Sequence, residues 1–546
     1  MKLDIEKRTE LIAVLIVLAM LIQLIYLIDY QSLTNDEFTN IAVGKYYIAN
    51  QDFSPFVFID HPPLGYLISS LFLYFGDNPI WSRTPHDSFY IIGNNPYSID
   101  YLLFITRLPV ALTAILLGIY IFKWTKELYG KKAALLALFL FSFEPNILAH
   151  FSIATTDFVM TAFIFISLYY FWKFQKEKTD VSALKAGIFL GLALISKHPA
   201  LILIPFTFTF LIIQYKRSII SRQIFSKMII FFITAFIILW AIYGFHVSTV
   251  LNTVHSKEKA LDFVNKTIKD DFARKTITFI FNTPLPAPHY FTALGYRWWQ
   301  KDTTYYYFLG EIVHGERKLD YYPIMFLVKT PIPFLILLGI FILRLFFMKK
   351  RISHPYLIFG FVLTYFVLMG VVFGPNLGLR HMLPIYPFLF VLGGSVINIK
   401  FKSGKQNDMF KAIIIILLIW YIIEALLIIP HNISYFNQFI GPDKAWLYFA
   451  DSDIDIGQEL KEFRHYIEEN NISHPYVPIA TFNMTYDLYL NNYSFAGCEP
   501  KNGTYGMQVT QLTLFGNREC YSWMLEREPN ERIGYSFFIY NVRDAE

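Results

Sequence analysis

The apolar residues of this 546-residue chain are gathered into long blocks rather than spread along it. A block of about 20 residues matches a helix crossing roughly 30 Å of hydrocarbon, so the blocks read as transmembrane helices. Eleven spans are read, at 10–29, 101–122, 133–150, 153–172, 185–197, 199–214, 228–247, 325–347, 355–373, 382–398 and 410–429. Ser196, Lys197, His198 and Pro199 separate the fifth from the sixth, because the two runs together are too long for one crossing. Charged residues make up 16% of the chain, against about 25% in an ordinary soluble protein. The 55 Phe and 37 Tyr suit interfacial belts, and also a groove for an isoprenoid chain. A net charge of +5 carries no nucleic-acid signal, since its cations lie in short loops between spans. The first span is long enough to cross and no small-residue cleavage site follows it, so no cleavable signal peptide is expected.

Basic residues set the expected orientation. Lys2, Lys7 and Arg8 precede the first span, and every even gap between spans is basic, from Lys123, Lys126, Lys131 and Lys132 to Lys400, Lys402, Lys405 and Lys411. The N-terminus is therefore expected in the cytoplasm and the C-terminus outside. Segments 30–100, 248–324 and 430–546 then fall on the external side.

The chain divides into a membrane domain, 1–429, and an extracytoplasmic tail, 430–546, whose composition is more polar. Within the tail, 460–470 reads as an amphipathic helix, and 476–482 and 533–542 as strands, giving a small α/β domain. Both cysteines, Cys498 and Cys520, lie there, where an oxidising compartment permits a bridge that the sequence leaves open. The N-x-S/T sequons at Asn265, Asn432, Asn471, Asn483, Asn492 and Asn502 also fall in external segments.

Candidate chemistry begins just past the first span. Asp36 and Glu37 suit a general base and its orienting partner for attack by a hydroxyl, although the pair alone reads first as a solvated helix start capped by Asn35 or Asp36. Asp60-His61-Pro62-Pro63-Leu64-Gly65 follows; its prolines fix a turn, and the apolar stretch to Phe75 suits a helix lying in the interface. His61 is a candidate to hold a phosphate or an acid. Arg107, inside the second span, faces a cavity or partner, or snorkels to the interface. Asp157, Lys197, Lys329, Arg380 and His381 all fall near the external side. Cations and carboxylates at one membrane depth make a site for an anionic lipid head group.

With these residues laid out, the chain resembles the protein O-mannosyltransferase (dolichyl-phosphate-mannose-protein mannosyltransferase) family and its prokaryotic relatives within the GT-C class of membrane glycosyltransferases. The resemblance runs from the first span to about residue 400. It is carried by Asp36-Glu37, His61-Pro62-Pro63-Leu64-Gly65, Arg107-Leu108-Pro109 and Asp157. Further carriers are Gly191-Leu192-Ala193 leading to Lys197, Tyr321-Tyr322-Pro323 leading to Lys329-Thr330-Pro331, and Arg380-His381. Asp451-Ser452-Asp453-Ile454-Asp455-Ile456-Gly457-Gln458 is similar to a tail motif of prokaryotic relatives, with Ile456 where tryptophan is typical.

The resemblance implies an all-α polytopic GT-C-like fold and a metal-independent, inverting transfer of mannose or another hexose, without cofactor. The donor would be a polyprenyl-phosphate sugar and the acceptor a hydroxyl, of protein Ser/Thr or of a lipid or glycan, at the external face. By the same analogy Asp36 is the base and Glu37 orients. Arg107, Lys197, Lys329 and Arg380 then stabilise the departing lipid phosphate, and His61, Asp157 and His381 bind substrate.

Other readings stand beside it. Asp451, Asp453, Asp455 and Glu462 match calcium-loop positions, but Ile456 occupies the place of the turn glycine. A transporter or flippase also has many spans, yet the repeated halves common in transporters are missing. Relatives resembling lipid A aminoarabinose transferases would place the sugar on lipid. An oligosaccharyltransferase is disfavoured, because Trp298-Trp299 is followed by Gln300-Lys301.

Overall fold

The computed structural model describes residues 2–50, 52–53, 61–75, 97–217, 223–254, 256–300, 305–347, 355–371, 378–479, 484–515 and 519–543. The segments 54–60 and 76–96, and the last residues of the strand read over 476–482, lie outside these.

The chain is an all-α multi-pass membrane protein with a small α/β tail, and among the described residues helix covers most of each apolar run. Among the described residues seven helices are long and apolar enough to cross alone: Lys7–Tyr30, Ile99–Tyr129, Asp157–Glu177, His198–Lys216, Ile224–Ile242, Leu379–Asn398 and Gly404–Ile428. Two further runs are bent pairs. Lys131–Ser142 meets Pro145–Phe151 at 62°, and Tyr321–Lys329 meets Ile332–Phe346 at 114°. Proline causes both breaks: it lacks an N–H and disfavours helical geometry in the residue before it. Thr330, before Pro331, is accordingly extended. Glu144, before Pro145, caps the new helix by accepting from the Ile147 N–H at 2.6 Å. The remaining two runs are shorter, Asp180–Leu194 with 15 residues and Pro355–Val371 with 17.

Two compact units result. The first comprises Met1–Thr39, Phe89–Thr155 and Tyr305–Glu546. Its core holds the helices Lys2–Tyr30, Ile99–Tyr129, Lys131–Ser142 and Tyr386–Gly394, with the Trp124 ring edge-on to Phe388 and Phe141 edge-on to Phe390. The second comprises Asn40–Ser88 and Thr156–Thr304. There the helix Asp180–Leu194 lies against Gln223–Ile242 through Gly187 and Gly191, one turn apart. A Cβ on Gly187 would come within 2.5 Å of the Phe231 carbonyl oxygen, and one on Gly191 within 2.6 Å of Ile238 Cβ. Small residues at this spacing let membrane helices approach backbone to backbone.

The tail belongs to the first unit. Its helix Leu460–Glu469 buries Leu460, Phe463 and Ile467 on one face, and the Phe463 ring lies 4.6 Å from that of Phe537, tilted by 32°. The sheet has five strands in the order Ser494–Phe495, Tyr476–Val477, Gly503–Gln508, Phe537–Val542, Glu531–Ile533. The strand expected over 533–542 is instead a hairpin, because the chain reverses at Gly534 with φ +54°. The central pair runs antiparallel from Gly503 opposite Val542 to Gln508 opposite Phe537. Cys498 and Cys520 are bridged.

Candidate active site

Thr34-Asn35-Asp36-Glu37 starts the helix Asn35–Asn50. Glu37 reaches back to accept from the Thr34 N–H at 3.0 Å and its hydroxyl at 2.9 Å, half of a capping box. The cap therefore falls on Thr34, one residue before the Asn35 or Asp36 expected, and Asp36 occupies the first turn. An acid there is favoured by the helix dipole.

The adjacent acids have opposite surroundings. Glu37 is fully buried. Arg107 grips it in a fork, Nε on Oε1 and Nη2 on Oε2, each at 2.7 Å, and the Ala154 N–H adds a bond of 2.7 Å to Oε1. The other guanidinium hydrogens go to backbone carbonyls: Ile28 at 3.0 Å, Gln31 at 2.7 Å and Ser32 at 2.6 Å. All five donors of Arg107 are thus engaged within the protein, and the loop that ends the first span is tied to Glu37. Asp36 instead remains 45% exposed and is paired with Arg380, itself 15% exposed.

Arg380 is held in place by the tail. Asp453 is buried; its Oδ1 accepts from the Leu379 N–H at 2.9 Å and its Oδ2 from the Tyr321 hydroxyl at 3.1 Å. The Gly378 N–H donates to Tyr321 at 2.9 Å. Lys329 lies beneath, donating to the carbonyls of Asp453 at 2.6 Å and Ile433 at 2.8 Å, with its ammonium 4.7 Å from the Phe436 ring centre. His381 is buried between Tyr322 and Tyr365. Burial pushes Asp453 above the usual carboxylate range, with Lys329 opposing. Asp451 is pushed up to about 6 by desolvation; Arg380 opposes this while Asp36 and Asp453 add to it. Asp451 is thus a further acid in the electrostatic field of Asp36 and Arg380.

The tail also braces the loop before Asp36. The Ser32 N–H bonds the Gln458 carbonyl at 3.0 Å, Asn35 N–H the Ile456 carbonyl at 3.1 Å, and Leu33 N–H the Tyr489 hydroxyl at 2.8 Å. The aspartates of the calcium-loop pattern each face protein donors, Asp455 accepting from the Gly457 and Thr510 N–H groups at 3.0 Å. Among the described residues no group of three or more His, Cys, Asp or Glu forms a metal-binding cluster.

The second unit holds the remaining candidates. Lys197 donates to Asp157 at 2.8 Å, with both side chains nearly buried. His61 is half-buried and precedes the short helix Leu64–Ser69, whose Leu64 N–H bonds the Ile195 carbonyl at 3.0 Å. A Cβ on Gly65 would lie 2.8 Å from Thr156 Cγ2, so glycine brings this turn close to the residue before Asp157.

Sequence reasoning missed Thr34, Tyr321 as a ligand of Asp453, and the bracing by Gln458 and Tyr489. Thr34-x-x-Glu37 is a readable capping signal; the others carry no local one.

Residues 99–241 match the family profile described as dolichyl-phosphate-mannose-protein mannosyltransferase. A comparison with curated proteins returns no match. Among solved structures, ArnT from Cupriavidus metallidurans in the apo state shares 10% identity over 96% of this chain and 97% of that one, with TM-score 0.50. ArnT bound to undecaprenyl phosphate gives 11% over 96% and 97%, TM-score 0.47. The oligosaccharyltransferase AglB from Archaeoglobus fulgidus, with an inhibitory peptide and a dolichol-phosphate, gives 11% over 97% and 74%, TM-score 0.49. By the match over 99–241 and the fold shared with apo ArnT, the chain resembles the dolichyl-phosphate-mannose-protein mannosyltransferases, within the GT-C class of membrane glycosyltransferases.

Proposed function

We propose that the protein transfers a sugar from a polyprenyl-phosphate donor to a hydroxyl acceptor at the extracytoplasmic face, by one inverting displacement with Asp36 as general base. The supporting observation is the contrast between neighbouring acids: Asp36 is 45% exposed, whereas every oxygen of buried Glu37 is occupied by protein donors. A base must reach the proton it removes. Asp36 takes the acceptor proton as the acceptor oxygen attacks the anomeric carbon, and the bond from that carbon to the phosphate oxygen breaks. Charge then grows on the departing lipid phosphate, and a cation fixed beforehand stabilises it without reorganisation. Arg380 fills that role, beside Asp36 and fixed through Leu379. Glu37 and Arg107 hold Asp36 in place, and Lys329 and His381 support Arg380. Lys197, steadied by Asp157, and His61 serve donor binding.

Mannose is the first sugar to test and protein Ser/Thr the first acceptor, because the match over 99–241 is to protein mannosyltransferases. The experiment gives purified protein in nanodiscs radiolabelled polyprenyl-phosphate mannose, Ser/Thr peptides and native lipid extract. Label in peptide establishes protein O-glycosylation. Label in the lipid fraction moves the acceptor to lipid or glycan, as in aminoarabinose transfer to lipid A. Donor translocated across the bilayer without transfer to any acceptor sinks the enzyme reading in favour of a transporter.

A further inference from the structure

Three sequons of the tail share one rim of its sheet. The strands Ser494–Phe495, Tyr476–Val477 and Gly503–Gln508 are neighbours and run parallel, with Tyr476 opposite both Ser494 and Tyr505. Asn492, Asn471 and Asn502 each stand shortly before one of them, so all three lie at the end where these strands begin. Each of the three is exposed. Asn502 and Thr504 of its sequon also line an open cleft of about 710 Å³, together with Tyr466, Asn470, Ile472 and Arg543. Asn470 and Ile472 flank Asn471, so the same cleft reaches two of the three sequons.

The opposite rim belongs to the site. Gly503–Gln508 leads to Thr510, whose N–H bonds Asp455 at 3.0 Å and whose hydroxyl accepts from the Asp451 N–H at 3.0 Å. Ser536, just before the antiparallel partner strand, accepts from Gln458 at 3.2 Å, and Gln458 is the residue that braces Ser32. Six strand residues at about 3.4 Å each set the two rims roughly 20 Å apart. A bulky group on the sequon rim therefore leaves the surroundings of Asp36 and Arg380 uncovered.

Asn432, the other described sequon of the tail, has different surroundings. It is fully buried, and the Ser434 hydroxyl is spent on the Ile454 carbonyl at 2.7 Å. A glycan there has no room in this fold. The Cys498–Cys520 bridge belongs to the same domain and suits an oxidising, extracytoplasmic compartment, where asparagine-linked sugars are also found.

Resting on the extracytoplasmic placement of the tail, we propose that Asn471, Asn492 and Asn502 carry N-linked oligosaccharides. The sugar source is a polyprenyl-linked oligosaccharide, and the enzyme a separate oligosaccharyltransferase in the same membrane. At each site the side-chain Nδ2 bonds the anomeric carbon, and the bond from that carbon to the lipid phosphate breaks. The amide loses one proton to the base of that enzyme.

The test takes the protein from the cells that make it naturally, digests it and weighs its peptides by mass spectrometry. Peptides bearing Asn471, Asn492 and Asn502 should each carry added sugar mass, and the peptide bearing Asn432 none. Ser473→Ala, Asn492→Gln and Asn502→Gln, made in the same cells, should each abolish the addition at its own site alone. Serine is changed at the first site because Asn471 has φ +55°, a conformation that asparagine adopts more readily than glutamine. Bare peptides at these sites, or sugar on Asn432, would overturn the proposal. Protease applied to intact cells separates the two ways of failing. A tail cleaved from outside but bare removes the glycans alone. A tail cleaved only after lysis removes its external placement, and the glycans with it.

Discussion

Arg107 and Glu37 meet in a two-pronged ion pair whose side chains are both completely buried. The pair fastens the helix Ile99–Tyr129 to the start of Asn35–Asn50, and Arg107 also holds the carbonyls of Ile28, in the last turn of the first helix, and of Gln31 and Ser32 just past it. Removing one partner of such a pair strands the other without water, at about 3–5 kcal/mol. Arg107→Gln should therefore lower the Tm in detergent sharply. Arg107→Lys should fall between that variant and wild type, because a lysine keeps the charge but loses the fork. A wild-type Tm for Arg107→Gln would contradict the clamp.

Tyr321 links Asp453 to Gly378, two residues before Arg380. Tyr321→Phe deletes both bonds while keeping the ring, at about 1–3 kcal/mol. Turnover should fall more than donor affinity, since what is loosened is the placement of Arg380. Steady-state kinetics separate the two; an affinity loss with unchanged turnover would place Tyr321 in donor binding.

Desolvation raises Asp455 to about 7, partly offset by N–H bonds from Thr510 and Gly457. The folded state then binds a proton that the unfolded chain has already released, so ν of the folded state exceeds that of the unfolded state. Stability from this group is full below pH 4 and is lost as pH rises toward about 7, on the order of 4 kcal/mol in all. Between pH 5 and 7.5, wild type should lose stability faster than Asp455→Asn does. Parallel stability profiles would show that Asp455 titrates normally.

Cys498 and Cys520 close a loop across a sequence separation of 22. A loop of this size restricts the unfolded chain by about 3 kcal/mol. The double alanine variant should expose the tail to limited proteolysis at lower denaturant, while the membrane helices stay protected. Equal protection of the tail with and without the bridge would contradict this.

The helices were legible because a crossing helix satisfies its backbone within itself and declares itself by length and apolarity. The bends were less so: Pro145 and Pro331 mark breaks, but the 114° turn depends on what the second helix meets. In the tail, strands as short as Tyr476–Val477 carry almost no alternation to read. At the site, Asp36 and Glu37 stand out as paired acids just past the first span, and Arg107, Lys329 and Arg380 as cations near the external side. Their pairings were not legible, because Glu37 with Arg107 and Asp36 with Arg380 join residues far apart in sequence. Nor was the part played by the tail, whose Ile456 and Gln458 brace Asn35 and Ser32 through backbone groups that no side-chain pattern reveals.

The central claim is that Asp36, and not Glu37, removes the acceptor proton. The most direct measurement is sugar transfer by Asp36→Asn at saturating donor, with Tm and donor affinity determined on the same preparation. Loss of a general base typically slows a reaction by about 10²–10⁴. The account predicts a fall in turnover of that size with Tm and donor affinity close to wild type. Turnover within tenfold of wild type, in a protein that still binds donor, would contradict it.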